Sequence, residues 1–231
     1  MKLNPSSRAE KSLDVFRPSE YTCLVLQYLQ DQPEVARERR ACEIGTGNGV
    51  IAAQAAMQGA SAVVVSDIED QALAAAKDCL ASLDAPSCSF EFHLGPMWSP
   101  FANRRFDLIL ATLPQFPCEA SVLSDRLHSW SVGGSDGRAL LDRFVAGLDE
   151  HLAVGGRAVF AHNSFVGLDK TRAVVEAAGL EMTVERAVTV LLAPTKVAAL
   201  PLGLAAYAPH IYPVGNYVFG HVSLAVVCKN H

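Results

Sequence analysis

The chain alternates between short apolar runs and longer stretches in which apolar residues recur every third or fourth position. The first pattern is typical of buried strands and the second of amphipathic helices. The predicted helices cover residues 19–30, 48–57, 70–83, 136–154 and 168–179. The predicted strands cover residues 39–45, 61–67, 88–95, 106–112, 156–164, 180–194 and 217–229.

Strands that are separated by helices predict a parallel sheet with right-handed crossovers. At 231 residues, the chain is expected to form a single α/β domain. The last two predicted strands have no helix between them, so we expect them to pair antiparallel at one edge. The expected architecture is a mostly parallel seven-stranded sheet with an antiparallel last strand.

Two segments fall outside this alternation. Residues 1–18 precede the first helix and are interpreted as an N-terminal flap. Residues 195–216 are rich in Pro, Gly and aromatic residues and are too long for a hairpin turn. We interpret this insertion as a substrate lid in which Tyr207, His210 and Tyr212 face the acceptor, with an oligomer contact as the competing interpretation.

Composition narrows the class of protein. Half of the residues are apolar, and a net charge of −5 with only short basic clusters argues against nucleic acid as a partner. No apolar run reaches the roughly 18 residues of a membrane span, and the N-terminus lacks the apolar core of a secretory signal. The six cysteines are scattered without metal-ligand spacing, which indicates free thiols and no metal site. We therefore expect a soluble cytoplasmic protein.

A glycine-rich turn, C-E-I-G-T-G-N-G, covers residues 42–49 and follows the first predicted strand. Gly45 and Gly47 allow a tight turn, and the N–H groups at the start of the next helix can hold an anion. The second strand ends in Asp67, which is placed to accept hydrogen bonds from a ribose diol. A nicotinamide fingerprint would need Gly or Ala where the chain has Val50, and the Gly-Lys-Ser/Thr ending of a phosphate-binding loop is absent.

The spacing E-x-G-x-G-x-G resembles the first motif of the class I S-adenosylmethionine (SAM)-dependent methyltransferases. The resemblance extends over residues 19–190 and implies a Rossmann-like fold with SAM as cofactor. It implies that Glu43 belongs to the network around the methionine moiety, that Asp67 binds the ribose and that Ile68 packs on the adenine. The turn residues that it places at the cofactor are Gly45, Thr46, Gly47 and Gly49.

Two short segments are similar to one branch of that family. Residues 14–22 resemble the P-x-E-x-T segment of the release-factor glutamine methyltransferase group, which implies a cofactor contact at Thr22. Residues 133–144 resemble that group's G-G-x-D-G helix start. One departure follows at Pro96, where the family commonly has an acid near the adenine amine. We expect adenine recognition to depend there on the backbone or on Met97.

The turn L-A-T-L-P-Q-F-P, residues 110–117, occupies the position of the N-P-P-Y motif of glutamine and adenine N-methyltransferases. In that motif, the Asn oxygen and the first Pro carbonyl accept hydrogen bonds from a planar NH₂ group, and the aromatic ring stacks on it. Here Leu113 keeps the carbonyl and Pro114 stiffens the turn, while Thr112 offers a hydroxyl and Gln115 an amide. We therefore expect a catalytic turn by position that would hold a planar amide poorly, with a simple polar turn as the alternative.

An amine or hydroxyl acceptor would need a general base, for which a histidine is suited. His162, at the carboxyl end of the fifth strand, is the first candidate, because the ligand crevice of open α/β sheets lies at that edge. His128, in the loop after the fourth strand, is the second candidate. A structural hydrogen bond is the alternative for both.

These observations predict a SAM-dependent methyltransferase that acts on a small polar metabolite through an amine, hydroxyl or carboxylate. Two alternatives stay open. One is an enzyme of the same fold that cyclises SAM and releases methylthioadenosine, and the other is a SAM-binding partner subunit without activity. The expected partner is a small molecule, with neither nucleic acid nor a membrane, and the sequence leaves open whether the chain forms a homo-oligomer.

Overall fold

A computed structural model of the chain describes residues 18–118 and 130–230. Within these residues lies a mixed sheet with helices on both faces. Its strands are β1 (Arg40–Ile44), β2 (Ala62–Asp67), β3 (Ser89–Leu94), β4 (Phe106–Ala111), β5 (Leu152–Asn163), β6 (Glu181–Leu191), β7 (Ile211–Val214) and β8 (Tyr217–Cys228). The α-helices whose bounds fall in the described residues are α1 (Glu20–Asp31), α2 (Val50–Met57), α3 (Asp70–Ala81), α4 (Ala139–Ala146), α5 (Leu148–His151), α6 (Leu168–Ala177) and α7 (Pro194–Ala198).

The strand order places a topological switch point at β1. The strands follow the order β3-β2-β1-β4-β5-β8-β6, and β7 pairs with β8 outside this path. The first five strands of that order are parallel neighbours, whereas β8 is antiparallel to both β5 and β6. Because β1 has β2 on one side and β4 on the other, the crevice expected of such sheets lies at the carboxyl ends of these strands.

The predicted α/β architecture with an antiparallel last strand is confirmed, with two differences. The described residues form eight strands instead of seven, because the insertion at residues 195–216 contributes β7. The last strand, β8, lies between β5 and β6, and β6 is the outermost strand. Burial explains this order, since the second half of β8 is buried on both faces while most of β6 is exposed.

The predicted helix over residues 136–154 is shorter in the structure, which divides this stretch into α4, the single turn α5 and the first residues of β5. The indole nitrogen of Trp98 donates to the carbonyls of Arg143 and Phe144, at 3.1 and 3.2 Å, and so satisfies the end of α4. A Cβ atom at Gly147 would lie 2.2 Å from this ring. A contact from a distant part of the chain therefore accompanies the end of the helix.

Each face of the sheet carries its own hydrophobic core. Val63 and Val65 of β2 pack on one face with apolar side chains of α1, α2 and α3. Val64 packs on the opposite face with apolar side chains of α4 and α6. Since successive strand residues point to opposite faces, burial on both faces accounts for the continuous apolar runs of the central strands.

A third and smaller core joins the insertion to the segment that follows β4. Its members from the insertion and its flanks are Leu192, Ala199, Leu200, Tyr207 and Ile211. They pack against Phe116, Cys118 and Phe165. The insertion is therefore packed against the chain just beyond the L-A-T-L-P-Q turn.

All six cysteines are free thiols. None of the helices in the described part of the chain is both long and apolar enough to cross a bilayer.

Replacement of Gly49 tests the packing of the glycine turn. Its φ is +76°, and a Cβ atom there would lie 2.8 Å from the Cα atom of Ala76 in α3. We expect Gly49→Ala to lower the free energy of unfolding by about 3 kcal/mol, through left-handed strain and overpacking together. The measurement is urea-induced unfolding followed by circular dichroism.

Gly179→Ala is the matched control for this prediction. Gly179 has a φ of +75° and no heavy atom within 4 Å of its hypothetical Cβ atom. The Gly179→Ala variant should lose only about 1 kcal/mol of the free energy of unfolding, which is the cost of left-handed strain alone. Equal losses in the two variants would contradict the packing contact with α3.

Candidate active site

A crevice opens at the carboxyl ends of β1, β2 and β4, at the topological switch point. Its walls come from the glycine turn, the end of β2, the segment after β3 and the turn after β4. The predicted site residues that line it are Thr22, Glu43, Gly45, Thr46, Gly47, Asp67, Ile68, Met97, Thr112, Leu113 and Pro114. The fold thus brings the predicted cofactor residues and the predicted catalytic turn to one crevice.

Hydrogen bonds hold the glycine turn to the end of β2. Gly45 and Thr46 both donate their backbone N–H groups to the carbonyl of Ser66, at 2.9 and 3.0 Å. The N–H of Gly47 donates to Asp67 Oδ2 at 2.9 Å, and Asp67 Oδ1 accepts from the N–H of Glu69 at 3.0 Å. The carboxylate of Asp67 is therefore held by one backbone donor on each oxygen, and each oxygen keeps a lone pair for a ligand hydroxyl.

Glu43 is an acid buried beneath this turn. Its Oε2 accepts hydrogen bonds from Thr46 Oγ1 at 2.8 Å and from the N–H of Ala52 at 3.0 Å. Burial raises the pKa of Glu43 to about 8, against the opposing effect of these two hydrogen bonds, and the nearby charge of Asp67 raises it further. A cationic ligand group beside this carboxyl would favour its ionised form.

The wall expected to contact adenine combines an exposed apolar residue with an unusual backbone. Ile68 lines the crevice although 65% of its surface is exposed. Met97 also lines it and has a φ of +49°, a left-handed conformation that is uncommon outside glycine. Pro96 lies beside it, so this wall offers no acid at the position where the family commonly has one.

Thr22 and Gly49 have local structural partners. The hydroxyl of Thr22 accepts the backbone N–H of Ser19 at 3.3 Å at the start of α1, and its side chain also reaches the crevice. Gly49 lies outside the lining, against α3.

Two segments beyond β4 contribute lining residues that were not anticipated from the sequence. Trp130 comes from the segment after β4, and Leu140 and Arg143 come from α4. Leu140 and Arg143 are three residues apart and so share one face of the helix. Their position inside the G-G-x-D-G-like segment, residues 133–144, was the signal that could have identified them.

The turn after β4 presents three of its four predicted residues to the crevice. Thr112, Leu113 and Pro114 line it. Gln115 does not, because its side chain is 3% exposed and its amide binds the backbone of β5. The structure therefore separates Gln115 from a ligand in the crevice.

His162 is also absent from the lining of the crevice. Its ring is buried, and Nε2 lies 2.9 Å from Thr171 Oγ1 of α6. Burial, with the nearby charge of Arg138, lowers the pKa of His162 to about 4. The ring is thus neutral at neutral pH and belongs to a buried polar network. The second candidate base, His128, lies outside the described residues.

The three predicted lid residues are not brought together. Tyr207 is buried in the core of the insertion, where its ring meets Phe165 edge-on at 5.5 Å. His210 is tied to the segment after β5 through its backbone, since its carbonyl accepts a hydrogen bond from Ser164 Oγ at 3.0 Å. Tyr212 is exposed and stacks on Phe219. None of the three lines the crevice, so their role in a substrate lid stays a prediction.

Comparison with known proteins accords with this geometry. Residues 19–121 match the family model of the Methyltransferase small domain. A Methanocaldococcus jannaschii protein assigned as a protein N5-glutamine methyltransferase is 31% identical over 161 residues, which cover 68% of this chain and 77% of that protein. The chain belongs to the class I SAM-dependent methyltransferases. The predicted enzyme class and the predicted cofactor are thereby confirmed.

Solved methyltransferase structures share this fold at low sequence identity. The E. cuniculi Mtq2–Trm112 complex, responsible for methylation of the termination factor eRF1, has a TM-score of 0.60 at 16% identity, covering 94% of this chain and 99% of that chain. The ribosomal protein L11 methylase of Lactobacillus delbrueckii subsp. bulgaricus has a TM-score of 0.57 at 16% identity, covering 94% and 82%. A Pyrococcus horikoshii protein assigned as an RNA methyltransferase has a TM-score of 0.56 at 14% identity, covering 92% and 90%.

These comparisons contradict the expectation of a small-molecule partner with no nucleic acid. The methyltransferases named above are described as acting on proteins or RNA. The expectation was wrong because it rested on net charge and on the chemistry of one turn. Neither property determines the size of the molecule that carries the acceptor group.

The crevice residues of this methyltransferase fit SAM. Asp67 keeps acceptor capacity for the two ribose hydroxyls. Glu43 supplies a buried acid that the cationic methionine moiety would ionise, and the exposed side chain of Ile68 offers an apolar surface for the adenine ring. The cofactor, when bound, supplies a methyl group activated by a positively charged sulfur.

Glu43→Gln separates the binding role of the acid from its cost to stability. The folded-state pKa of Glu43 is raised from 4.5 to about 8, so its contribution to stability is fully present below pH 4.5 and is lost as the pH rises through 8. Relative to the wild type, the variant should therefore gain on the order of 10 °C in Tm between pH 5 and pH 9. Its affinity for SAM should fall on the order of tenfold, because the charged partner of the methionine moiety is lost.

Thermal unfolding across this pH range and calorimetric titration with SAM measure the two effects. Glu150→Gln, on the exposed surface of α5, is the control and should change neither quantity. A Glu43→Gln variant that binds SAM as tightly as the wild type would exclude Glu43 from the cofactor network.

Proposed function

We propose that this methyltransferase transfers the methyl group of SAM to a side-chain amide nitrogen of a protein substrate. One observation carries the proposal: the Thr112–Leu113–Pro114 turn lines the same crevice as Glu43 and Asp67. A nitrogen held at this turn would therefore lie beside the cofactor. The 31% identity to a protein assigned as a protein N5-glutamine methyltransferase supports a protein amide as the acceptor.

The turn lacks the Asn and the aromatic ring with which the N-P-P-Y motif holds a planar amide, but it still offers two acceptors for the two N–H bonds of a primary amide. Thr112 Oγ1 and the carbonyl of Leu113 come from adjacent residues of the crevice wall. The amide of Gln115 approaches the Leu113 carbonyl only to 3.5 Å, so this oxygen keeps capacity for a substrate donor. Trp130 brings an aromatic ring to the crevice that the turn itself lacks, and we assign to it the stacking role of the missing motif aromatic.

In this proposal, most of the rate enhancement comes from orienting the acceptor nitrogen towards the methyl group. Hydrogen bonds to Thr112 and Leu113 direct the nitrogen towards the methyl group, and apolar walls exclude water from the reacting atoms. The N–CH₃ bond forms as the S–CH₃ bond breaks, and S-adenosylhomocysteine leaves. The amide nitrogen then carries the positive charge that left the sulfur, and this cation is a strong acid that releases its proton to solvent as the neutral N-methyl amide forms. The step therefore needs no buried base, and His162 is assigned none.

The test is transfer of tritium from methyl-labelled SAM to purified candidate proteins. A translation termination factor and a ribosomal protein are the first candidates, because structurally similar methyltransferases act on these classes. We expect acid-stable label in protein, located on a glutamine by peptide mass spectrometry. Asp67→Ala, which removes the ribose acceptor, serves as the inactive control.

Three outcomes would overturn the proposal. Label in an RNA fraction and none in protein would move the substrate class to nucleic acid. Methylthioadenosine formed from SAM alone would indicate cyclisation of the cofactor. Tight SAM binding without turnover on any protein or RNA fraction would indicate a partner subunit without activity.

The hydroxyl of Thr112 provides a sharper prediction. Thr112→Val keeps the shape of the side chain and removes the acceptor, so kcat for methyl transfer should fall about tenfold. Thr112→Ser keeps the hydroxyl and should retain most of the activity. The measurement is steady-state kinetics with a parallel titration of SAM, and the Kd for SAM should be similar in both variants. Equal kcat values in the Val and Ser variants would exclude a hydrogen bond from the substrate to Thr112.

A further inference from the structure

The side chain of Gln115 continues the sheet where β4 has stopped. β4 ends at Ala111, which pairs with Phe160, while β5 runs on to Asn163. Gln115 Nε2 donates to the carbonyl of Ala161 at 2.6 Å, and Gln115 Oε1 accepts the N–H of Asn163 at 2.8 Å. A residue of a parallel strand opposite position 162 would make the same two bonds, because a parallel ladder joins one residue to the residues before and after its neighbour.

The side chain of Gln115 is not placed to contact a ligand in the crevice. Its side chain is buried, and both ends of its amide are committed to β5. Without this side chain, the carbonyl of Ala161 and the N–H of Asn163 would lose their buried partner, which is costly for backbone groups. The amide therefore links the turn of residues 112–114 to a central strand.

The glycine-rich segment after β4 holds the same residue from the other side. A Cβ atom at Gly133 would lie 2.9 Å from the Cα atom of Gln115, and one at Gly137 would lie 2.5 Å from its carbonyl oxygen. Backbone hydrogen bonds join the next residue to this segment, since Phe116 donates to Ser131 and accepts from Gly133. Gln115 is thus enclosed between β5 and the backbone at Gly133 and Gly137, where any residue larger than glycine would clash.

The link extends from β5 to the first helix. The side-chain amide of Asn163 donates to the hydroxyl of Tyr21 in α1, and its Oδ1 accepts the N–H of Phe165. Tyr21 precedes Thr22, which lines the crevice. A change at Gln115 would therefore loosen the turn relative to the start of α1, where Thr22 lines the crevice.

We propose that Gln115 is a positioning residue for methyl transfer. Its amide completes the ladder beside β5 and so holds Thr112 and the Leu113 carbonyl in place at the crevice. This inference deepens the proposed function and depends on it for the reaction that is measured. The residue occupies the motif position at which the related N-methyltransferases carry an aromatic ring, but it acts here through the backbone of β5.

Gln115→Met tests the proposal, because it keeps the length of the side chain and removes both hydrogen bonds. We expect kcat for methyl transfer to fall about 30-fold, with the Kd for SAM changed by less than about threefold. Gln71→Met is the matched control, since Gln71 is exposed on α3, and it should retain wild-type kinetics. Equal kcat in the two folded variants would overturn the proposal, even if Gln115→Met lowered the Tm.

Gln115→Glu gives a second test if the Met variant does not fold. A protonated carboxyl can donate to Ala161 and accept from Asn163, whereas a carboxylate cannot donate. Burial should raise the pKa of this carboxyl, so kcat relative to the wild type at the same pH should recover about threefold or more from pH 8 to pH 6. A ratio that does not change with pH would count against the proposal.

Hydrogen exchange distinguishes failure of this proposal from failure of the proposed function, because it needs no acceptor. The backbone amides of Asn163, Thr112, Leu113 and Phe116 should exchange faster in Gln115→Met than in Gln71→Met, while the amides of β1 and β2 stay protected. If the wild type transfers no methyl group, the proposed function fails and this measurement still decides the structural role. Unchanged protection at Asn163 would overturn the positioning role.

Discussion

The hydrogen bonds between the glycine turn and the end of β2 are the constraint on which the rest of the site depends. Gly45, Thr46 and Gly47 direct their N–H groups to Ser66 and to the carboxylate of Asp67. This arrangement requires left-handed conformations at Gly45 and Gly47, whose φ values are +70° and +53°. It fixes the start of α2, the orientation of the Asp67 carboxylate and one wall of the crevice together.

The two acids near this turn have different environments and therefore different roles. Asp67 is partly exposed and is held by backbone donors, so it is available to ligand hydroxyls. Glu43 is fully buried, and desolvation outweighs its two hydrogen bonds. A buried acid of this kind destabilises the fold at alkaline pH and becomes favourable when a cation binds beside it. Its retention in the core is consistent with binding of the cationic cofactor.

The turn after β4 brings only part of the predicted catalytic residues to the crevice. Thr112, Leu113 and Pro114 stay at the crevice, and Gln115 turns to β5. The insertion packs against Phe116 just beyond this turn, through a small core of its own. The turn therefore connects the crevice, which Thr112, Leu113 and Pro114 line, to the core of the insertion at Phe116.

The sequence by itself determined the alternation of strands and helices, the glycine turn and the acid at the end of β2, because these depend on local periodicity and on backbone conformations that few residues allow. It also placed Thr112, Leu113 and Pro114 at the crevice, because strand ends meet at one edge of a parallel sheet. Only the tertiary structure decided which way each side chain beyond the strand ends points. Gln115 and His162 were expected in the site and are instead buried against β5 and α6, while Trp130, Leu140 and Arg143 line it unexpectedly. The partners of Gln115 lie 46 and 48 residues away in the chain, and the partner of His162 lies on a different element, so spacing along the sequence does not specify them.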